Sequence, residues 1–191
     1  KADKEIIKAQ REIFRRFHLD EKTEQLYPFQ LSGGMARRVL VSTAVLSGAE
    51  VIIADEPTPG LDLEMALEAL KIFRELSDEG KAVILITHDI DLAFHIADRI
   101  AVFYAGTTVE IAAAKDFLEG VDALRHPYSK ALWKALPQNG FEPIPGFQPY
   151  AKYLPKGCLF LPRCPHKTKE CEENIPMREV RGGYVRCIHA D

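Results

Sequence analysis

Hydrophobic positions in the first half of the chain predict helices that alternate with short strands. Apolar residues recur at helical spacing over residues 2–18 and 63–78, which is typical of helices with one buried face. Residues 35–46, rich in Ala, Arg, Val and Leu, favour another helix. Two continuous apolar runs, Val51–Ala54 and Ala82–Ile86, predict strands that are buried on both faces of a sheet.

The alternation continues as far as residue 111. A short helix is predicted over residues 90–97, followed by a third strand at Ile100–Tyr104. Thr107–Ile111 is expected to pair with that strand as a hairpin across Ala105-Gly106. The order strand, helix, strand, helix, strand predicts an α/β fold with a parallel sheet that is covered by helices on both faces.

The pattern changes near residue 120, where prolines become frequent. They stand at positions 127, 137, 143, 145, 149, 155, 162, 165 and 176. This density excludes long regular elements, and one short helix, at about 128–135, fits between them. We therefore predict a first domain over residues 1–120 and a loop-rich extension over 121–191.

Composition narrows the class of protein. The 191 residues are 47% hydrophobic and 28% charged, with a formal net charge of −3, as in ordinary globular proteins. This balance argues against a nucleic-acid partner. No apolar run approaches the roughly 20 residues that span a bilayer, so a role at a membrane requires docking onto a partner. The first residue is Lys1, not Met, and we expect a fragment of a longer protein.

Ionisable residues follow two of the predicted strands. Val51–Ala54 runs into Asp55 and Glu56, and the next strand runs into Thr87 and His88. The carboxyl ends of parallel strands share one edge of a sheet, where α/β folds bind ligands. A solvated strand end explains the carboxylates taken alone, but carboxylates and a histidine at one edge form a more specific constellation.

Leu31-Ser32-Gly33-Gly34 directly precedes a predicted helix. Backbone N–H groups at a helix start, a serine hydroxyl and the absence of side chains on the glycines together favour an anion site. A glycine-rich N-cap without a ligand is the alternative interpretation of this tetrapeptide.

Together these residues resemble the ABC ATPase family over roughly residues 1–115. Leu31–Met35 resembles the signature loop, Val51–Glu56 the Walker B strand, Pro59–Asp62 the D-loop and His88 the switch histidine. The resemblance implies a partial ABC ATPase domain, with a helical subdomain over residues 1–47 and a parallel-sheet core layer over 48–120.

The resemblance also implies roles in binding ATP and Mg²⁺. Ser32, Gly33 and Gly34 would grip the γ-phosphate of ATP that the opposite ATPase subunit holds. Asp62 would couple the two sites across the dimer. These are the contributions of one subunit to a site that two subunits share.

The resemblance also implies that three further residues take part in ATP hydrolysis. Asp55 would hold the Mg²⁺ shell, Glu56 would orient or deprotonate the attacking water, and His88 would contact the γ-phosphate. Phosphoryl transfer depends mainly on positioning and charge stabilisation, which suits these groups.

The sequence departs from the family in one large respect. It contains no G-x-x-x-x-G-K-[ST] phosphate loop, and Gly80-Lys81, the nearest fragment, precedes a strand. In the family this loop lies N-terminal to the signature. We therefore predict that this chain alone does not hydrolyse ATP.

His126-Pro127-Tyr128 resembles the element that opens the C-terminal extension of oligopeptide and dipeptide importer ATPases. Phe141–Phe147 fits the connector that follows it. The resemblance implies a peripheral ATPase subunit at the cytoplasmic face of the membrane that drives uptake of dipeptides or oligopeptides. Its expected partners are a second ATPase subunit, transmembrane permease subunits and, indirectly, an extracytoplasmic substrate-binding protein.

Other functions stay open at this point. An importer of nickel or another small solute shares the same extension. A non-transport ABC ATPase is disfavoured by the extension. A standalone binding or assembly fragment is suggested by the missing phosphate loop.

The chain has four cysteines, all in the extension: Cys158, Cys164, Cys171 and Cys187. A bound metal would supply stability that a loop-rich segment lacks, and disulfides are disfavoured in the reducing cytosol. Spacing alone leaves an iron–sulfur cluster, structural zinc and free thiols open, with His166 and His189 as further candidate ligands. The resemblance to peptide-importer ATPases points to a [4Fe-4S] cluster, with Zn²⁺ as the alternative.

Overall fold

The computed structural model describes residues 2–60 and 63–191. Contacts divide the chain into two compact units, Lys1–Leu92 and Ala93–Asp191. None of the helices described has the length and hydrophobicity that crossing a bilayer requires. The domain boundaries predicted at residues 47 and 120 stay predictions.

The described part of the first unit contains three α-helices and two strands: α1 (Ala2–Arg16), α2 (Gly33–Leu46), β1 (Val51–Asp55), α3 (Leu63–Asp78) and β2 (Ala82–Ile86). These bounds agree closely with the sequence prediction, because each element carries its own apolar periodicity or run. A further helix, α4, spans Ile90–Ile96.

Helix α1 packs against α2 through an apolar cluster at its C-terminal end. Phe14, Phe17 and Leu19 are buried, and Met35 and Val39 pack against them. Each such side chain contributes about 1.5–3 kcal/mol when it leaves water. Past the end of the helix the backbone turns left-handed, at a φ of 52°, and the amide of the next residue donates to the carbonyl of Phe14 at 2.8 Å.

Strands β1 and β2 are parallel, with Val51 opposite Ala82 and Asp55 opposite Ile86. Helix α3 packs on β2, and Leu70, Phe73 and Leu76 of this helix are buried. The described residues cover only one face of the strand pair.

The other face of the strand pair is exposed and apolar. Ile53 is 65% exposed, and Val51, Ile84 and Ile86 are each about half exposed. The prediction that both strands are buried on both faces is therefore wrong for this chain. A strand with two apolar faces needs two covering layers, and the described residues supply one.

The second unit contains a four-stranded antiparallel sheet. Its strands are β3 (Arg99–Tyr104), β4 (Thr107–Ala113), β5 (Arg178–Val180) and β6 (Gly183–Val185), in the order β3-β4-β6-β5. Helices α5 (Ala114–Glu119) and α6 (Pro127–Lys134) and several short 3-10 helices also belong to this unit.

The third predicted strand does not join the parallel pair. β3 pairs with β4 instead, as the predicted hairpin. Ala105 and Gly106 both have positive φ, at 48° and 84°, which matches the right-handed twist of the strands and closes the hairpin in two residues. Local pairing through this turn explains why β3 lies in an antiparallel sheet.

The extension is more regular than its prolines predicted, because β5 and β6 enlarge the sheet formed by the hairpin. Both strands are only three residues long, so hydrophobic alternation could not reveal them. Pairing of Glu110 with Val185 and of Ile111 with Tyr184 joins the end of the chain to β4.

A buried ion-pair cluster ties the extension together. Glu110 is fully buried and accepts hydrogen bonds from the backbone amides of Arg125 and His126, at 2.9 and 2.8 Å. The Arg125 guanidinium pairs with Asp116 at 2.8 Å and donates to the carbonyl of Arg181 at 2.6 Å. One arginine thus connects β4, α5 and the turn between β5 and β6.

Candidate functional site

The carboxyl end of β1 places two acidic residues at the edge of the parallel strands. Asp55 is the last strand residue and is exposed. Glu56 follows with a φ of 46°, a left-handed conformation that is uncommon outside glycine and clusters at functional sites. Its backbone N–H donates to the carbonyl of Ile86 at 2.8 Å, which turns the chain towards the end of β2.

Glu56 and His88 meet at this edge. Nδ1 of His88 lies 2.8 Å from Oε1 of Glu56, while the His88 side chain is 81% exposed. The hydrogen bond to Glu56 and the charge of this carboxylate raise the pKa of His88. Oε2 of Glu56 is buried and finds no hydrogen-bond partner in the described part of the chain. The contact leaves one carboxylate oxygen and one imidazole nitrogen available for other partners.

The serine and glycines before α2 form an open helix N-terminus. Ser32 is the N-cap, and its hydroxyl accepts a hydrogen bond from the amide of Met35 at 3.2 Å. Gly33 is exposed, and a methyl group added there would meet nothing within 4 Å, whereas Gly34 is buried. Exposed amides at the start of a 14-residue helix can bind an anion.

Sequence reasoning missed one residue near this loop. Arg37, one turn into α2, donates to the carbonyl of Pro57 at 2.9 Å and also to that of Pro59. It thereby ties α2 to the loop that follows Glu56. Its place in the turn after the glycines was the available signal. Asp62, the predicted D-loop residue, lies outside the described residues.

The four cysteines of the extension line one pocket together with His126 and His189. All four thiols are free. The amide of Cys158 donates to the carbonyl of Cys171 at 2.9 Å, and Sγ of Cys171 lies 3.4 Å from Nε2 of His189. Residues up to 63 positions apart in sequence therefore share one small volume.

Burial governs the thiols in this pocket. It raises the pKa of Cys158, Cys164 and Cys187, and the charge of neighbouring cysteines acts in the same direction. Within residues 2–60 and 63–191, no group of three or more His, Cys, Asp or Glu side chains is arranged to hold a metal ion. The other predicted histidine, His166, is exposed and does not line the pocket.

His126 lines the cysteine pocket, whereas the sequence analysis identified it only as part of the His126-Pro127-Tyr128 element. It is 1% exposed and is the N-cap of α6, where Nδ1 accepts a hydrogen bond from the amide of Tyr128 at 3.0 Å. Burial lowers its pKa to about 4. The backbone of Arg186 acts against this shift, although its approach to the buried Nε2 falls outside ordinary hydrogen-bond geometry.

Two family models match separate parts of the chain. The model described as ABC transporter matches residues 2–59, which include the segments that resemble the signature loop and the Walker B strand. The model described as oligopeptide/dipeptide transporter, C-terminal region, matches residues 109–171, which include His126 and three of the cysteines.

Curated relatives extend the similarity over most of the chain. The oligopeptide transport ATP-binding protein OppD of Escherichia coli is 40% identical over 172 residues, covering 86% of this chain and 50% of that protein. The dipeptide transport ATP-binding protein DppD of Haemophilus influenzae is 37% identical over 174 residues, covering 87% and 52%. The chain belongs to the ATP-binding proteins of ABC transporters. It spans about half the length of the curated relatives it matches.

Solved structures of ABC cassettes share the fold. CbiO1 from Clostridium perfringens, part of an ABC transporter complex, is 27% identical with a TM-score of 0.55, covering 61% of this chain and 47% of that chain. A dimeric ATP-binding cassette in a post-hydrolysis state bound to ADP and Pi is 29% identical with a TM-score of 0.51, covering 56% and 46%. The predicted fold class, a partial ABC ATPase domain, is confirmed.

Proposed function

We propose that this ABC transporter ATP-binding protein forms part of an ATP-hydrolysing subunit that drives import of oligopeptides or dipeptides. The similar proteins OppD and DppD are named for oligopeptide and dipeptide transport. The observation that carries the proposal is the 2.8 Å contact between Glu56 and His88, because it sets a carboxylate and an imidazole side by side at the end of a strand that resembles Walker B.

The proposed roles at this edge are those that the resemblance implies, and the geometry supports them. Glu56 orients the attacking water and accepts its proton, for which Oε2 keeps unused lone pairs. His88 is held through Nδ1, so its other ring nitrogen is left to contact the γ-phosphate. Its raised pKa favours the protonated ring, which suits an anionic partner. Asp55, exposed at the strand end, would hold the Mg²⁺ shell.

The signature loop is proposed to act on ATP bound elsewhere. Ser32, Gly33 and Gly34 present an open helix N-terminus, which is suited to the γ-phosphate of a nucleotide held by a second ATPase subunit. Asp62 would couple the two sites. Because the printed sequence has no phosphate loop, this chain by itself is proposed not to hydrolyse ATP.

The remaining partners follow from the same proposal. Two transmembrane permeases would anchor the ATPase subunits at the cytoplasmic face of the membrane. An extracytoplasmic binding protein would deliver the peptide to the permeases.

The test uses the complete ATPase assembled with its permeases in lipid vesicles, with ATP hydrolysis and peptide uptake measured together. Glu56→Gln is expected to lower hydrolysis by about 10²–10⁴-fold, the usual contribution of a general base. Gly33→Ala is expected to lower hydrolysis without changing the melting temperature, because nothing in the described chain fills the space beside Gly33.

Glu50→Gln, at the other end of β1, is the matched control and should leave hydrolysis unchanged. Full hydrolysis by Glu56→Gln would contradict the assignment of the base. Hydrolysis that responds to Ni²⁺ and not to peptides would favour the small-solute alternative. ATP hydrolysis by the 191-residue chain alone would contradict the proposal that this chain by itself is inactive.

We also propose that the four pocket cysteines hold a metal centre, a [4Fe-4S] cluster as the resemblance implies, with Zn²⁺ as the alternative. The support is the chemistry of the donor set, because four free thiols line one pocket, although no three of them are arranged to hold a metal ion in the described part of the chain. The centre would cross-link the loops around the pocket and give them the stability that a small core cannot.

Anaerobic purification of the full chain tests this centre. Iron and sulfide in stoichiometric amounts, with the visible absorption of a cysteine-ligated cluster, would support the cluster. A colourless protein with one bound zinc would support the alternative. Chain without either metal, and unable to take up either on reconstitution, would contradict the site.

A further inference from the structure

We propose that Arg37 is a positioning residue for ATP hydrolysis, which holds the loop after Glu56 against the first turns of α2 and so fixes the place of the Glu56 carboxylate. The inference rests on the proposed function, in which Glu56 is the base and the start of α2 faces ATP of a second subunit. It gives a role to an arginine that the resemblance to ABC ATPases leaves without one.

One guanidinium binds two carbonyl groups of the same loop. Nη1 of Arg37 donates to the carbonyl oxygen of Pro57 at 2.9 Å, and Nη2 donates to that of Pro59. The N–H groups of a guanidinium lie in one plane in a fixed fork. The two carbonyl groups are therefore held at a fixed separation from each other, and both are held to α2.

The loop itself offers few hydrogen-bond donors. Residues 56–60 read Glu-Pro-Thr-Pro-Gly, and the two prolines have no backbone N–H. The amide of Glu56 donates to the carbonyl of Ile86 at 2.8 Å, which attaches the start of the loop to the end of β2. Arg37 supplies an attachment on the far side of Glu56.

The two attachments enclose Glu56 along the chain. Glu56 has a φ of 46°, a conformation that persists only where the surrounding structure enforces it. Its own amide is bound at the end of β2, and the carbonyl of the following residue, Pro57, is bound to Arg37. Together they direct the carboxylate to Nδ1 of His88, 2.8 Å away.

The support behind Arg37 is the start of α2. Arg37 follows Gly33 by one helical turn, so the two residues lie on the same side of the helix. Met35 and Val39 pack this helix on the apolar cluster with α1. Through Arg37, a shift of the helix start would be passed to the loop that carries Glu56.

The second carbonyl extends this connection. Pro59 is the first residue of the segment that resembles the D-loop. The guanidinium therefore joins three segments that are proposed to act on ATP: the start of α2, the loop after Glu56 and the beginning of the D-loop segment.

Small displacements of a base have large effects on the rate. A misplacement of about 1 Å can lower the rate of an enzyme by about 100-fold. The loss is expected in kcat and not in the KM for ATP, because the hydrogen bonds of Arg37 reach the loop that follows the base.

The test compares variants of the complete ATPase, assembled with its permeases in lipid vesicles. Arg37→Met removes the donors and keeps most of the side-chain volume, whereas Arg37→Lys keeps the charge and a single ammonium group. Arg38→Met is the matched control, because this neighbouring arginine pairs with Glu68 at 3.6 Å and so ties the same helix to α3. Arg37→Met is also combined with Glu56→Gln in a double-mutant cycle.

We expect Arg37→Met to lower kcat by about 10- to 100-fold, with little change in the KM for ATP, and Arg37→Lys to recover part of the loss. Arg38→Met should keep the kcat of the wild type. In the Glu56→Gln background, Arg37→Met should have little further effect, because the base through which Arg37 acts is already absent. An arginine with a purely structural role would lower kcat and the melting temperature in both backgrounds.

An unchanged kcat in Arg37→Met would overturn the inference. Equal fold-losses in the wild-type and Glu56→Gln backgrounds would also overturn it, since they would show that Arg37 does not act through Glu56. A loss confined to the KM would do the same, because it would assign Arg37 to nucleotide binding. Full hydrolysis by Glu56→Gln alone would contradict the proposed base, and the inference would fail with it.

Discussion

The backbone conformation of Glu56 positions its side chain at the edge of the parallel strands. Its left-handed φ of 46° and its hydrogen bond to Ile86 direct the side chain to His88. Both side chains are at least partly exposed, so the contact itself adds little to stability. Its value is positional, because it holds the imidazole beside the carboxylate.

The contact between Glu56 and His88 predicts a measurable change in the titration of His88. In the wild type, the hydrogen bond from His88 to the Glu56 carboxylate and the negative charge of that carboxylate raise the pKa of His88. Glu56→Gln is therefore expected to lower the pKa of His88 towards the ordinary histidine value. Because the pKa is raised in the folded state, the contact contributes its full stabilisation at pH values below the ordinary histidine pKa. This stabilisation is lost as the pH rises through the raised pKa.

NMR titration of the His88 ring measures this shift. Glu50→Gln serves as the control and should leave the His88 titration unchanged. An unchanged His88 pKa in Glu56→Gln would show that the contact does not exist in solution.

Gly157 lies where the fold leaves no space for a side chain. A methyl group there would lie 2.2 Å from the carbonyl oxygen of Cys171 and 2.5 Å from the carbonyl carbon of Glu172. Because backbone atoms cannot move aside as a flexible side chain does, Gly157→Ala should cost about 1–3 kcal/mol of unfolding free energy.

Denaturant unfolding of the full chain checks this cost. Gly33→Ala is the matched control, because its added methyl group meets nothing and should change stability little. Equal stability of the two variants would mean that residues 157 and 171 do not approach each other so closely.

At the scale of elements, helix α2 depends on its cap. Ser32→Ala removes the acceptor for the Met35 amide and should cost about 1 kcal/mol of unfolding free energy. Ser32→Asn keeps an acceptor and should cost much less. Urea unfolding followed by circular dichroism measures both, and equal losses in the two variants would contradict the capping role.

The short strands β5 and β6 show how an element forms without a pattern of its own. Each has three residues. β6 pairs with β4, which the hairpin to β3 already orders, and β5 pairs with β6. Cross-strand pairs, not local propensity, stabilise such segments.

At the scale of the whole molecule, the second unit depends on buried charge. The Arg125 side chain is 3% exposed and that of Glu110 is fully buried. Arg125→Met should destabilise the protein by about 3–5 kcal/mol, because it leaves the buried carboxylates of Glu110 and Asp116 without their cation.

An exposed pair provides the contrast. Arg74→Met breaks the ion pair with Asp78, whose two side chains are 41% and 58% exposed, and should change stability by about 0.5 kcal/mol or less. Thermal unfolding of both variants gives the comparison. Similar small losses would show that Arg125 is not buried with its partners in solution.

The sequence by itself determined most helices and strands of this protein. Periodic apolar residues located α1 and α3, and continuous apolar runs located β1 and β2, because local side-chain pattern suffices for these elements. It also predicted that Glu56 and His88 share one edge, since parallel strands align their carboxyl ends. The resemblance of the signature loop to that of ABC ATPases identified the family that the relatives confirm.

Only the tertiary structure decided which faces are covered and which distant residues meet. It left one side of β1 and β2 exposed, joined the chain end to β4, and brought His126 into the pocket of the cysteines. These outcomes depend on contacts between residues far apart in sequence, and no local pattern of hydrophobic and polar positions records such contacts.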